Sequence, residues 1–237
     1  MKNWVLTLLL ASLTVPAFAQ DFSDARALIE ASLEKTGGEK WSTVETMRLS
    51  TTMSIDTPQG EIFGSTKLSF RYPGYTHVKV LLDVPEEMGG SPGGMTQTSI
   101  MNPDTTYMTS DFAGTQGSAG GQGPQAATEE LALLSSEDAE LSLDTGDLDG
   151  KDVYIVTSVV DSTTSRIYYD KETLLRLARA VETAQGDAMV YYEDYREVEG
   201  LLVPYVQRQS MNGMAQIMKV KTVEVNPELD TKLFEVK

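Results

Sequence analysis

The chain has no cysteine and one histidine, His77, among its 237 residues. Disulfides, thiol nucleophiles and Cys-ligated zinc are excluded, and the common zinc sites lack their ligands. Positive charge is also scarce: 19 Lys and Arg against 35 Asp and Glu leave a net charge of −16. That balance argues against nucleic acid, whose phosphates are neutralised by Lys and Arg, and against docking on anionic lipid head groups. It suits a protein kept in solution by its own charge. No stretch after residue 19 is apolar over a length that crosses a bilayer. Stability therefore rests on a packed core, for which 41% apolar residues, 10 Tyr and 6 Phe supply the material.

An apolar stretch with no charge, Trp4 to Leu13, follows Lys2 and precedes Pro16 and Ala17-Phe18-Ala19. A basic start, a short apolar stretch, a breaker and a small-x-small site read as a signal peptide over residues 1–19, cleaved before Gln20. An uncleaved anchor is the alternative, but the run is short for a membrane span. No cysteine follows it, so no lipid is attached there. Export places residues 20–237 in the periplasm, with secretion as the alternative. Loss of Lys2 takes the net charge from −16 to −17.

The exported part opens on a helix. Asp21 or Ser23 can cap it, Phe22, Ala25, Leu28, Ile29 and Leu33 recur at helical spacing, and Gly37-Gly38 ends it. Such an apolar stripe needs a surface to cover. Met47, Leu49, Thr51, Met53 and Ile55 then alternate with Arg48, Ser50, Thr52 and Ser54, the period of a half-buried strand. Thr57-Pro58-Gln59-Gly60 makes a turn. Leu68, Phe70 and Tyr72 form a second face, Pro73-Gly74 breaks it, and Val78, Val80 and Leu82 form a third. Short turns between neighbours predict an antiparallel meander.

Residues 86–124 are rich in Gly, Ser, Thr and Met and lack periodic apolar positions, so they are expected to form a mobile insert. A hairpin fits inside it around Thr96–Met101 and Thr105–Thr109, turning at Asn102-Pro103-Asp104. A second helix follows from Gln125 to Leu134, with Ala127, Leu131 and Leu134 on one side. Residues 113–150 contain eight Asp or Glu and no Lys or Arg. From Asp152 the pattern is β throughout: Val153 to Val160, Ile167 to Asp170, Leu174 to Thr183, Ala188 to Val198, Leu201 to Ser210 and Met214 to Val225. Asn212-Gly213 is a strong hairpin signal. Pro204, which cannot donate to a ladder, belongs at a strand start, an edge or a bulge. About eleven strands and two helices make one mainly β domain over residues 20–237. So many antiparallel strands curl. The expected fold is an incomplete antiparallel β-barrel, a strongly curved sheet with the two helices across its concave face.

Several motifs carry no chemistry. Gly89-Gly90-Ser91-Pro92-Gly93 matches a nucleophile elbow, but the oxyanion hole needs the N–H of the residue after the serine, and Pro92 has none. Gly121-Gln122-Gly123-Pro124-Gln125-Ala126 mimics a dinucleotide loop without a preceding strand. Asp144, Asp147, Asp149 and Asp152 suggest calcium, yet an EF-hand register centred on Gly150 would need Thr145 and Val156 as ligands. A turn before Asp152 is the plainer reading, with a weak surface calcium site as the alternative. His77 alternates with Lys79 and reads as a surface residue. Glu193, Asp194 and Glu197 alternate faces on a strand and read as a solvated edge. No catalytic residue, metal or cofactor is assigned.

The C-terminal half has a more specific order. It contains Ile167-Tyr168-Tyr169-Asp170-Lys171-Glu172-Thr173-Leu174-Leu175, then Tyr192-Glu193-Asp194-Tyr195-Arg196, Glu199-Gly200-Leu201-Leu202-Val203-Pro204, and finally Asn226-Pro227-Glu228-Leu229-Asp230 with Leu233-Phe234. Phe70-Arg71-Tyr72-Pro73-Gly74-Tyr75 adds an early R-x-P-G element. This set resembles the outer-membrane lipoprotein-sorting proteins, the LolA/LolB-like envelope carriers. The resemblance implies an incomplete β-barrel with a helical lid over an apolar cavity that holds acyl chains. The long Gly/Met-rich insert and the acidity depart from that pattern.

Three functions follow as expectations. The first is a non-enzymatic carrier of a hydrophobic ligand or of lipoprotein acyl chains. Alternation then puts Leu49, Met53, Leu68, Phe70, Val78 and Val80 on the concave face, with Tyr191, Val203 and Met218 from later strands. Leu28, Ile29, Leu33 and Leu131 form the lid. Met residues adapt to irregular apolar ligands, yet Met47, Met53 and Met218 fill an ordinary core equally well. The second is an envelope module that binds another protein, which an exposed apolar patch would favour. The third is an enzyme, which buried convergent carboxylates with shifted pKa would favour.

Overall fold

A computed structural model describes residues 22–235 except 73, 104, 112–124, 161–162, 184–185 and 212–213. The expected signal peptide and the Asn212-Gly213 turn lie outside the described residues. The first helix, α1, spans Ala25–Thr36. Its cap is Asp24 rather than Ser23; Asp21 lies outside the described residues. The Asp24 carboxylate stands next to the first turn and accepts from the N–H groups of Arg26 and Ala27, each at 3.3 Å. Those donors have no partner within the helix. Gly37 ends the helix at φ 147°, where an added Cβ would sit 2.7 Å from Leu201.

Among the described residues twelve strands follow: β1 (Thr46–Thr57), β2 (Gly60–Arg71), β3 (Tyr75–Asp83), β4 (Met95–Asn102), β5 (Thr105–Ser110), β6 (Glu140–Leu148), β7 (Lys151–Val160), β8 (Thr163–Asp170), β9 (Arg176–Thr183), β10 (Gly186–Val198), β11 (Leu201–Met211) and β12 (Met214–Val225). The second helix, α2 (Gln125–Ser135), lies between β5 and β6. All twelve strands belong to one sheet in the order β5-β4-β3-β2-β1-β12-β11-β10-β9-β8-β7-β6. Two meanders are thus joined where β1 pairs with β12. The sheet does not close. Its free edges are β5 and β6, and α2 rides on the connection between them.

The twelfth strand, beyond the eleven expected, is β6. Its Asp and Glu residues mask its alternation, and no residue in it is fully buried, as suits an edge. The turn expected before Asp152 does exist, but as the tip of the β6–β7 hairpin. Asp149 (φ 53°) and Gly150 (φ 85°) form it between the paired Leu148 and Lys151. Asp147 Oδ1 accepts the Gly150 N–H at 2.9 Å, so this aspartate serves the turn.

The expected hairpin inside residues 86–124 is β4–β5, and it extends the sheet. Ser99 and Ile100 of β4 are buried, so this part of the stretch is docked on β3. Pro204 lies in the first part of β11, where that strand pairs with β10 alone; pairing to β12 begins at Val206. A proline is tolerated there because no ladder bond to β12 is lost.

Candidate functional site

Register decides which side chains share the concave face. Leu49 stands opposite Leu68 and Leu68 opposite Val78; Met47 stands opposite Phe70. Directly opposed residues share a face. Helix α1 lays Leu28 and Ile29, both 0% exposed, and Leu33 onto this surface. They join Leu49, Leu68, Phe70, Val78, Val203, Tyr154, Val156, Ile167 and Tyr169 in one buried cluster, with Val80 and Leu131 packed at its margin. Of the thirteen residues expected at the site, ten therefore belong to this cluster or its margin, packed as a core.

Three stand elsewhere. Met53 and Met218 are buried and directly opposed across β1 and β12, but outside that cluster. They lie on the same face, toward the β1–β2 turn. There Ile55, Ile62, Leu82 and Met95 share the face and are half-buried. Gly64 keeps this end low: a Cβ would come within 2.6 Å of the Leu81 carbonyl oxygen and 3.1 Å of Met53.

Tyr191 is a correction. It pairs with Arg208 and with Ala178, and Arg208 stacks over its ring at 6.0 Å. Gln207 of the same strand pairs with Met218, so Arg208 and Tyr191 face the convex side. The inward residue is its neighbour Tyr192, buried. Two adjacent tyrosines read alike, and only the pairing of β10 with β11 sets which one points in. His77 faces the convex side as expected but is half-buried. Burial, and then Lys79, lower its pKa.

Sequence reasoning missed a polar cluster beneath α2. Arg176 is 2% exposed. Its Nη2 donates to Glu129 Oε2 at 2.7 Å, and its guanidinium lies 4.7 Å from the Tyr192 ring centre. Its Nε and Nη1 have no hydrogen-bond partner. Arg179 Nε lies 2.7 Å from Glu129 Oε1. The angle is wrong for a hydrogen bond, so this contact is an ion pair only. Tyr169 donates to Glu130 Oε1 at 2.7 Å, and Tyr195 to the Arg176 carbonyl at 2.8 Å.

Burial pushes Glu130 up to about 7 against the pull of Arg176 and Tyr169. Burial acts to lower the Arg176 pKa, but Tyr192, Glu129, Glu130 and Tyr169 outweigh it and hold the guanidinium charged. At the far end of α2, Arg26 donates to the carbonyls of Leu134 and Ser136 at 3.0 and 3.2 Å, closing bonds a helix end leaves open. The signal was present in the sequence. Glu129 and Glu130 sit in a stretch without one basic residue, so their partners had to come from another element.

No known family profile matches the sequence, and no curated protein matches it. Solved structures do match. A DUF1329 family protein from Desulfovibrio piger superposes with a TM-score of 0.58 at 13% identity, over 89% of this chain and 96% of that one. A LolA superfamily protein from Nitrosomonas europaea gives 0.55 at 10%, over 90% and 99%. An outer membrane lipoprotein-sorting protein domain from Vibrio parahaemolyticus gives 0.53 at 11%, over 88% and 95%. The chain has the fold of the LolA superfamily. At these identities the likeness is one of fold. The LolA-like sheet, open at β5 and β6 and crossed by helices, is the half-barrel expected from the periodicity.

Proposed function

We propose that this LolA-like chain is a non-enzymatic envelope protein that binds a hydrophobic, acyl-bearing ligand on its concave face. The expected signal peptide would deliver it to the periplasm. The observation that carries this reading is the division of that face. Under α1 it is packed as a core, while toward the β1–β2 turn Ile55, Ile62, Leu82 and Met95 are only half-buried beside Met53 and Met218. Apolar side chains on a concave surface, partly wet and including methionines, suit an acyl chain. Glu129 and Glu130 do not favour an enzyme, because both carboxylates are engaged by Arg176, Arg179 and Tyr169.

Titration with fluorescent fatty acids of increasing length tests the proposal. Saturable binding is expected, tightening about fourfold for each methylene buried. A well-folded protein that binds none of them would favour the second reading, a protein-interaction module. That reading rests on Phe63 (56% exposed) and Leu81 (41%), diagonal neighbours on the convex side of β2 and β3.

A further inference from the structure

On the convex face, at the turn end of β3 and β4, an open groove of 620 Å³ is lined by Arg71, Tyr75, Asn102, Thr105, Thr231, Phe234 and Glu235. A 3-10 turn at Thr231–Phe234 forms one wall, fixed by Asp230, whose carboxylate accepts the Lys232 N–H at 3.0 Å. Phe234 is buried and meets Tyr75 edge-on at 6.0 Å between ring centres. The Arg71 guanidinium sits 4.0 Å from the Tyr75 ring centre and 5.2 Å from that of Phe234. Both rings hold the guanidinium by cation–π contact and offer it no hydrogen-bond acceptor. Its N–H groups radiate in the plane of the guanidinium, and planar carboxylates fit them.

What sets Arg71 apart is its lack of an acceptor. The chain has eight arginines. Arg48, Arg166, Arg176, Arg179, Arg196 and Arg208 each meet a carboxylate, and Arg26 meets two carbonyls. Among the described residues, Arg71 alone has neither. In a chain with 35 acidic residues, an arginine held by rings and left unmatched is a receptor in waiting. Glu235 lines the same groove without pairing with it. We propose that the Arg71 groove binds a small carboxylic acid, its carboxylate on the Arg71 fork and its hydroxyl groups facing Thr105 and Thr231. Glu235 and the net charge of the chain select a monoanion over a dianion such as phosphate. The site lies on the opposite side of the sheet from the acyl surface and stands independently of it.

Amide and arginine side-chain NMR on the full exported chain provides the test, with lactate, acetate, acetamide and inorganic phosphate as probes. Lactate is expected to give saturable shifts at Arg71, Tyr75 and Thr105, with acetate weaker and acetamide silent. Phosphate should bind at least about tenfold more weakly than lactate. Arg71→Met, which keeps an apolar stem between the rings, should weaken lactate about tenfold or more, the scale of a lost charged hydrogen bond. Arg71→Lys should restore part of it. Equal shifts in wild type and Arg71→Met, phosphate binding tighter than lactate, or no saturable shift from any anion would each overturn the proposal. In the last case a lowered melting temperature of Arg71→Met would assign Arg71 to clamping the C-terminal turn alone.

Discussion

The carboxyl of Glu130 is buried beneath α2 and receives one hydrogen bond, from Tyr169. Burial raises its pKa from 4.5 to about 7. A raised folded-state pKa means that the folded chain holds the proton more tightly than the unfolded one. The stability this gives is complete below pH 4.5 and is lost as the pH rises through 7. His77, whose pKa is lowered, acts in the opposite sense, losing stability as the pH falls through its folded value. Comparison with Glu130→Gln separates the two. The wild type is expected to lose stability between pH 4.5 and about 7 relative to Glu130→Gln, by up to about 1.4 kcal/mol for each pH unit. Parallel pH profiles for the two proteins would show that Glu130 is not the titrating group. The sequence around Glu130 shows a lack of basic neighbours but not that this carboxyl is buried. Its burial comes from strands more than thirty residues away, as does the choice between Tyr191 and Tyr192.

At the scale of elements, regular strands were legible and irregular polar ones were not. β1, β2 and β3 announce themselves because one face of each is buried and the other wet, so alternation survives in the residues. β6 is an acidic edge, where solvent on most sides removes the pressure to alternate. Residues 86–124 read as a mobile insert holding only a short hairpin, for a related reason. β5 is exposed along its whole length, and β4 is buried only at Ser99 and Ile100. Docking of β4 on β3 divides the mobility expected there. Amide exchange should be fast over residues 86–94 and in β5, whose outer groups have no strand partner. It should be slower in β4, paired on both sides, and slowest in β1. Protection in β5 equal to that in β1 would refute this order and imply a partner on that edge.

The whole molecule follows from one topological fact, the pairing of β1 with β12. It joins two meanders into a single open sheet and brings Met53 against Met218 across 165 positions of sequence. Periodicity predicts the meanders and the need for helices on one face. It does not reveal how far α1 reaches along that face, because reach depends on the packing of Leu28 and Ile29 against strands from both halves. Reach is what divides core from ligand surface, and three substitutions separate those roles. Phe70→Glu puts a carboxylate into the packed cluster under α1. Without a partner it costs several kcal/mol, so the variant should fail to fold. Leu82→Glu places the same charge on the half-buried end. It should fold with nearly wild-type melting and lose fatty-acid affinity about tenfold or more, because the acyl chain would have to desolvate the charge. Leu81→Glu, one residue along and on the convex side, should melt and bind fatty acid as the wild type does. Circular dichroism melts and the fluorescent titration read all three. If Leu82→Glu binds fatty acid as tightly as the wild type, the half-buried end is not the acyl surface. If Leu81→Glu instead abolishes capture of an envelope partner while fatty acids never bind, the convex patch is the working face.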